Sequence, residues 1–359
     1  MPNTSILDNL EEIKKLDKSN VLGSVQSLAD QVKDAWEQVS SLEVNVDTNR
    51  VKNIIVAGMG GSQLGPDVIK RVFKSELEVP LEIYNDYHLP AYAGKDSLIL
   101  LSSYSGTTEE VLSAAEEAKN SGAQILVITT GGKLQEMAQE NNWPVYVINP
   151  QHNPSNQPRM AIGYSVFGTI AMFIKAGVLK VDEVLVNKVV ERIQETSGGI
   201  NVDVPQDRNP AKQMAFNMFG RIPVLIGAEH LEGALHVFDN QLNENAKTYS
   251  EYRIVPELNH HLMEGLRYPA ENDKLLYFVL FQSPLYHDRT QRRIEVTQDV
   301  IDKAGIDTTT VLIDSVTRLE QAFEVIAFGA FVNFYLAMLE QIDPAPIETV
   351  DYFKEQLKK

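Results

Sequence analysis

Short apolar runs rich in β-branched residues alternate with helical segments along most of the chain. In the first half, the runs that predict strands lie at 53–57, 81–84, 97–101, 124–128 and 145–148. Helices are predicted between them at about 64–73, 108–121 and 133–141. Continuous apolar strands that alternate with helices are typical of a parallel sheet covered on both faces. The pattern therefore predicts an α/β fold.

The same pattern restarts at Ile222–Gly227, which suggests an internal repeat. The segments 54–58, 97–103, 109–122 and 124–129 resemble 224–227, 275–281, 292–305 and 309–313. The second copy has lost its small residues, because Gly60-Gly61-Ser62 corresponds to Glu229-His230-Leu231. We expect two tandem doubly wound parallel-sheet domains, of which only the first keeps the chemistry of an anion site.

The remaining segments complete the predicted organisation. It consists of a helical N-terminal extension (1–50, with two helices between 6 and 45), a first domain (51–180), a connector helix and loop (181–210), a second domain (211–342) and a C-terminal helix (343–359). The longest apolar stretch, 322–339, contains Glu324 and Asn333, and we interpret it as a buried helix rather than a membrane span.

Composition narrows the class of protein. The 359 residues suffice for two α/β domains. Lys and Arg number 32 against 49 Asp and Glu, and the net charge of −17 argues against non-specific nucleic-acid binding and against a polybasic membrane contact. The chain has no cysteine, which excludes disulfides, thiolate catalysis and cysteine-ligated zinc. Residues 1–15 lack the apolar core of a secretion signal, and we expect a cytoplasmic protein.

Two loops rich in Gly, Ser and Thr follow predicted strands of the first domain, and each leads into a helix. They are Gly58-Met59-Gly60-Gly61-Ser62 and Ser102-Ser103-Tyr104-Ser105-Gly106-Thr107-Thr108. Ligands of parallel sheets bind beyond the carboxyl ends of strands, and a helix N-terminus attracts anions. The plainer interpretation of the second loop is a turn with a helix cap. Nucleotide motifs fail, since Gln63 replaces the third glycine of a dinucleotide loop and Pro66 follows Gly65 where a P-loop needs lysine.

Several motifs in order carry a resemblance to a known family. Besides the two loops, they are Gln157-Pro158-Arg159, Asn243-Glu244-Asn245-Ala246-Lys247, Glu257-Leu258-Asn259-His260, and the C-terminal segment from Asp343-Pro344 to Lys354. Together they resemble the sugar isomerase (SIS) fold, which is flavodoxin-like, and more narrowly the bifunctional phosphoglucose/phosphomannose isomerase family. The usual asparagines of that family are replaced here by Thr107 and His261.

The resemblance implies an enzyme of carbohydrate metabolism, in glycolysis and gluconeogenesis, that interconverts glucose 6-phosphate, and also mannose 6-phosphate, with fructose 6-phosphate through a cis-enediol. It implies that the phosphate is held by Gly61, Ser62, Ser103, Ser105 and Thr108. It further implies that Glu244 is the base, that Arg159 stabilises the enediolate, and that His260 and Lys354 assist ring opening. Family members are homodimers whose histidine comes from the neighbouring subunit. No cofactor or metal is implied.

The residues themselves are compatible with this chemistry and with plainer roles. A metal-free aldose–ketose isomerase needs a carboxylate base, an acid–base pair and a fixed cation. Taken singly, Glu244 and Arg159 could be surface residues, and Lys354 could be solvated near the chain end. Which of His260 and His261 acts stays open. A non-catalytic SIS-domain sugar-phosphate sensor and another SIS-type phosphosugar isomerase remain as alternatives.

Overall fold

The computed structural model describes residues 4–358, so residues 1–3 and 359 of the predicted terminal extensions lie outside the described residues. Within the described range the chain forms two parallel sheets. The strands are β1 (Asn53–Gly58), β2 (Leu81–Tyr84), β3 (Ser97–Ser103), β4 (Gln124–Thr129), β5 (Val145–Val147), β6 (Ile222–Ala228), β7 (Glu251–Val255), β8 (Leu276–Gln282) and β9 (Thr308–Leu312). Their order is β2-β1-β3-β4-β5 in the first sheet and β7-β6-β8-β9 in the second, and every pair is parallel.

Helices connect the strands and cover the sheets. Those up to residue 175 are α1 (Leu10–Leu16), α2 (Val21–Gln26), α3 (Leu28–Ser40), α4 (Gly61–Val72), α5 (Glu109–Ser121), α6 (Gly132–Glu140) and α7 (Ile162–Lys175). Those beyond it are α8 (Glu183–Ile200), α9 (Pro210–Met218), α10 (Glu232–Glu244), α11 (Leu262–Gly265), α12 (Asn272–Leu275), α13 (Asp288–Lys303), α14 (Arg318–Leu339) and α15 (Glu348–Leu357). The predicted fold class, tandem SIS-type parallel-sheet units with helical extensions, is confirmed.

The first sheet separates two hydrophobic cores because side chains alternate between its faces. Ile55 and Ile99 pack with the apolar residues of α5 and α6 in the smaller core. Ile54 and Leu98 point the other way, into a large core that continues through the second unit. The two units are therefore joined by a common core.

Helix α14 lies at the centre of this large core. It is long and apolar enough to cross a membrane, but 94% of its most apolar window is buried inside the protein. A capping box at Thr317 and Glu320 begins the helix. The interpretation of 322–339 as a buried helix agrees with this burial.

The two units also meet where α4 packs against α10 in antiparallel orientation. Gly233 allows the close approach, since a Cβ there would lie 2.6 Å from Val68 Cα. Arg71 Nη2 lies 2.8 Å from Glu232 Oε1. His236 Nδ1, one turn further along α10, lies 2.9 Å from Asp67 Oδ2. This packing brings the C-terminus of α10 towards the N-terminus of α4. The loop 58–62, which we call the glycine-rich loop, lies next to it.

Some local expectations were wrong. The N-terminal segment holds α1, α2 and α3 where two helices were expected. Asp17 ends α1 and Asn20 caps α2, and a further break at Ser27, the C-cap of α2 and the N-cap of α3, gives the third helix. Within the predicted connector 181–210, the helix is α8, which continues through Gly198 and Gly199 to Ile200. The domain boundaries as a whole stay predictions.

Candidate active site

The serine-rich loop runs from the end of β3 to the N-terminus of α5 and is held by its own hydroxyl groups. Ser103 Oγ lies 2.8 Å from Thr108 Oγ1 and accepts a hydrogen bond from the Gly106 amide at 3.1 Å. Ser105 Oγ accepts from the amide and the hydroxyl of Thr107, at 3.3 and 3.1 Å. In the described chain, Thr108 is the N-cap residue of α5 but its side chain makes no capping hydrogen bond. The amides of the first turn of α5 are thus not satisfied by this side chain, which suits an anion site.

The glycine-rich loop lies beside the serine-rich loop and is hydrogen-bonded to it. Ser62 Oγ accepts from the Tyr104 amide at 2.8 Å, and Ser102 Oγ donates to the Ser62 carbonyl, also at 2.8 Å. Gly61 is closely packed, since a Cβ there would lie 2.9 Å from the Arg159 amide nitrogen. The structure therefore brings the predicted phosphate-binding residues together and places Arg159 directly behind them.

A tyrosine that the sequence did not reveal lies at the same helix N-terminus. Tyr87 Oη donates to Glu109 Oε1 at 2.6 Å, and this bond raises the pKa of Tyr87 to about 12. Glu109 is in the first turn of α5, beside the candidate anion site. The tyrosine fixes the orientation of a carboxylate that would otherwise be close to a bound anion.

Arg159 is 1% exposed and its guanidinium is surrounded by acceptors. Nε donates to Asn245 Oδ1 at 2.5 Å, and Nη1 donates to Gln157 Oε1 at 2.8 Å and to Glu244 Oε2 at 3.4 Å. Nη2 donates to the carbonyls of Pro344 and Ala345, at 3.0 and 2.7 Å. A guanidinium has five N–H groups, and all of them have acceptors here. The bond to Glu244 is the longest and is the easiest to exchange for a ligand atom.

Buried amides fix the arginine from behind. Gln241 Nε2 donates to the Arg159 carbonyl at 3.0 Å. Asn333 of α14 donates to Gln241 Oε1 at 3.0 Å and accepts from Asn245 Nδ2 at 2.8 Å. These three amide side chains are almost completely buried. A satisfied buried network of this kind holds its members in one arrangement.

Glu244 is the last residue of α10, and its side chain is 30% exposed. Burial raises the pKa of its carboxyl, while the charges of Arg159, Lys354 and Lys247 oppose that shift. Burial in turn lowers the pKa of Arg159, against the effect of Glu244 and Asp351. A carboxylate with a raised pKa next to a fixed cation is the arrangement that a general base requires.

The C-terminal helix α15 reaches this cluster. All of its residues are exposed, and Lys354 lies in its last turn. The charge of Lys354 opposes the rise that burial causes in the pKa of Glu244, so Lys354 lies within electrostatic reach of the carboxylate. Lys247, to which the sequence assigned no role, is also in the cluster, and burial lowers its pKa to about 8.

His260 is not brought to Glu244 within one chain. It is exposed and ends a short 3-10 helix, Glu257–His260, after β7. Among the interactions described for residues 4–358, no hydrogen bond or ion pair joins it to Glu244. The neighbouring His261 Nε2 lies 2.9 Å from Glu257 Oε2. In the same described range, no group of three or more acidic, histidine or cysteine residues could hold a metal ion.

Tandem parallel sheets with a hydroxyl-rich loop at the carboxyl edge of the first are consistent with the SIS class of protein. Residues 49–175 match the SIS domain model, and residues 207–357 match the bacterial phospho-glucose isomerase C-terminal SIS domain. A bifunctional phosphoglucose/phosphomannose isomerase of Caldicellulosiruptor bescii is 31% identical over 339 residues, 93% of this chain and 98% of that protein. The chain belongs to the bifunctional phosphoglucose/phosphomannose isomerase family.

A second relative supports the same family, and a solved structure supports the fold. A bifunctional phosphoglucose/phosphomannose isomerase of Thermoplasma acidophilum is 30% identical over 313 residues, 86% of this chain and 91% of that protein. The crystal structure of a hypothetical protein from Thermus thermophilus is similar with a TM-score of 0.74 and 14% identity, covering 97% of this chain and 93% of that one. At this identity the structural likeness supports the fold alone.

Proposed function

We propose that this protein is an aldose–ketose isomerase that interconverts glucose 6-phosphate with fructose 6-phosphate, and mannose 6-phosphate with the same ketose. The observation that carries the proposal is the position of Glu244, a carboxylate of raised pKa that ends a helix of the second unit and hydrogen-bonds to Arg159. Arg159 in turn packs on Gly61 of the glycine-rich loop. The proposed base therefore lies close to the proposed phosphate-binding loop.

In this proposal the substrate phosphate binds at the N-terminus of α5 and at Gly61, Ser62, Ser103, Ser105 and Thr108. Hydroxyl and amide donors suit the phosphate dianion, and the helix dipole favours its charge. The phosphate fixes the position of the sugar chain but takes no part in proton transfer.

Glu244 would remove the proton from C2 of the open-chain aldose and return it to C1, while a proton moves from O2 to O1. The intermediate is a cis-enediol with a planar C2, so one intermediate serves both glucose and mannose 6-phosphates. Glu244 acts as a base while ionised, and a raised pKa makes it a stronger one. No cofactor is required for this sequence of steps.

Arg159 would stabilise the enediolate by its charge. Its N–H donors all have protein acceptors, so direct contact with the substrate requires the 3.4 Å bond to Glu244 to be exchanged. Even without direct contact, a buried guanidinium stabilises negative charge that develops close to it. Lys354 and His260 would assist ring opening, with His260 supplied by the neighbouring subunit of a homodimer.

Two features support the dimer. His260 is exposed in the single chain, and so is every residue of α15, including the apolar Val350, Tyr352 and Phe353. An exposed apolar helix face of this kind is typical of a surface that binds a partner. We also propose that the enzyme acts in the cytoplasm, where its sugar-phosphate substrates occur, in keeping with the absence of cysteine.

The central test is Glu244→Gln, assayed in both directions with coupled detection of each hexose 6-phosphate. Loss of a general base should lower kcat by about 10²–10⁴-fold. KM should change little, because the phosphate-binding residues are untouched. Glu232→Gln is a matched control: Glu232 is the first residue of the same helix, has an arginine partner at 2.8 Å, and has a pKa raised by burial. Wild-type protein without turnover of either aldose phosphate would refute the proposal.

Subunit complementation tests the shared site. Glu244→Gln and His260→Asn proteins should each be inactive, but refolding an equal mixture should restore roughly a quarter of wild-type activity, since half the dimers are mixed and each has one complete site. Sedimentation would check the dimer itself. No recovery in a mixture that contains heterodimers would mean that His260 does not act across the interface.

A further inference from the structure

Lys247 makes an unusual set of contacts just after the proposed base. Its Nζ donates to the carbonyl oxygens of Glu244 at 2.8 Å, Asn245 at 3.3 Å, Asp343 at 3.4 Å and Pro344 at 2.9 Å. The first two carbonyls belong to the C-terminus of α10, and the last two belong to the segment that leads to α15. The ammonium therefore bridges two parts of the chain that are almost 100 residues apart.

Arg159 holds the same segment from the other side. Its Nη2 donates to the carbonyls of Pro344 and Ala345, so the Pro344 oxygen accepts from both cations. Pro344 and Ala345 are buried. We call 343–345 the anchor segment, because its carbonyls are held by these cations just before the exposed α15.

The position of α15 depends on this anchor segment. All ten residues of α15 are exposed within the single chain, so packing inside one subunit contributes little to fixing the helix. The helix nevertheless lies near the site, because it begins at Glu348, three residues after Ala345, whose carbonyl oxygen lies 2.7 Å from Arg159 Nη2. The charge of Lys354 acts on the pKa of Glu244 accordingly. A shift of the anchor segment would move Lys354 relative to Glu244.

The backbone of Lys247 supports a specific role. Its φ is +53°, a left-handed conformation that carries a steric cost for a residue other than glycine. This conformation directs the side chain back over the end of α10. The contacts made by the ammonium offset that cost.

We propose that Lys247 is a positioning residue that fixes the anchor segment and thereby holds Lys354 of α15 beside Glu244. The proposal rests on the proposed isomerase function for its catalytic consequence, whereas the mechanical link between Lys247 and α15 stands independently. Lys247 acts through the backbone and has no assigned contact with the substrate.

The kinetic test is Lys247→Met, which keeps the aliphatic stem and removes the ammonium. Because ring opening needs Lys354 in place, kcat should fall by about 10–100-fold, as expected for a displaced catalytic group. KM should stay within about threefold, since the phosphate loops are in the first unit. Lys247→Arg should recover part of kcat. Lys303→Met is the control, because within residues 4–358 Lys303 Nζ donates only to Asp299, on an exposed helix face at 2.6 Å.

A second measurement does not depend on turnover. The chain has no cysteine, so Glu355→Cys gives a single labelling site on α15 for a maleimide dye. Lys247→Met should lower the fluorescence anisotropy of the dye, and Lys303→Met should not. Unchanged anisotropy would overturn the mechanical link. Lower anisotropy with unchanged kcat would overturn the positioning of Lys354. Inactive wild-type protein would refute the isomerase function, and the anisotropy would still decide the link.

Discussion

Replacing Gly106 by alanine should disrupt the serine-rich loop more than any nearby glycine substitution. Gly106 has a φ of +67°, and a Cβ there would lie 1.8 Å from the Gly131 carbonyl oxygen and 2.8 Å from Thr129 Oγ1. The obstacle is main chain that cannot rotate away, because Leu134 N donates to the Gly106 carbonyl at 3.0 Å and holds the two loops together. Alanine therefore requires the serine-rich loop to move.

The cost has two parts that the structure allows us to separate. A left-handed alanine costs about 1–2 kcal/mol. Overlap with packed main chain adds about 1–3 kcal/mol, occasionally more. Gly122 isolates the first part, since its φ is +76° but the nearest atom to a Cβ, Lys95 Cβ, lies 3.8 Å away. Gly106→Ala should thus be less stable than Gly122→Ala by about 1–3 kcal/mol.

Thermal unfolding and phosphate competition would measure both consequences. For a unit of roughly 150–250 residues, each kcal/mol lowers Tm by about 2–4 °C. A displaced loop loses at least one hydrogen bond to a charged ligand, worth about 1.5–3 kcal/mol, so the inhibition constant of inorganic phosphate should rise by about 10–100-fold. Gly122→Ala should leave that constant unchanged.

Equal Tm values for the two variants would show that the loop accommodates the methyl group. Unchanged phosphate inhibition in Gly106→Ala, at reduced stability, would show that the serine-rich loop is not the phosphate site. The first result would contradict the expected steric overlap, and the second would contradict the proposed phosphate site.

Further predictions concern pH, a loop contact and a buried charge. Because burial raises the pKa of Glu244 and the base must be ionised, kcat/KM should fall on the acid side of a pKa above the usual range, and a profile with an ordinary glutamate pKa would contradict this. Tyr87→Phe should raise KM for the sugar phosphate by roughly two- to fivefold by releasing the Glu109 carboxylate. The double variant with Glu109→Gln should reverse the rise, and persistence of the effect would exclude this cause. Asp8→Asn should destabilise the fold by about 1–3 kcal/mol in chemical denaturation, because the buried Lys212 Nζ loses its anion at 2.8 Å. Adding Lys212→Met should restore stability in part, and no recovery would argue against charge burial.

Strands could be predicted from the sequence where their position in the sheet gives a distinct pattern of apolar residues. Strands such as β3 are buried on both faces and therefore read as continuous apolar runs, which made the repeat visible. Strand β7 (Glu251–Val255) was not predicted, because it lies at the edge of its sheet and includes charged residues. Glu251 and Arg253 alternate with Tyr252 and Ile254, but a run of five residues is too short to distinguish this strand from a loop.

The site was harder to predict because its residues meet over long separations. The bond between Arg159 and Glu244 joins residues 85 positions apart. Lys247 occurs in a motif that the sequence did single out, but its carbonyl acceptors near residue 344 could not be inferred from spacing. Tyr87 follows β2 in a loop without a pattern, and its partner Glu109 begins a helix of the same unit. Only the folded chain relates these groups.

The structure also gives a reason for the divergence of the two units. Where the first unit has Gly61 and Ser62, the second has His230, which is 2% exposed and lies 2.8 Å from Gln321 Oε1. Ser283 Oγ donates to the same oxygen at 2.6 Å. At this loop of the second sheet, the position that corresponds to the glycine-rich loop is therefore occupied by hydrogen-bonded side chains of the second unit itself.

The second unit instead faces the first with the opposite edge of its sheet. Helix α10 begins beside the filled loop and, over 13 residues, carries Glu244 about 20 Å away from it. Because α10 packs antiparallel to α4, its C-terminus arrives near the N-terminus of α4 and the glycine-rich loop. The carboxyl edge of the first sheet thus lies at the same end of the α4–α10 pair as the amino edge of the second. This polarity explains how the first repeat can carry the proposed anion site while the second supplies the proposed base to it.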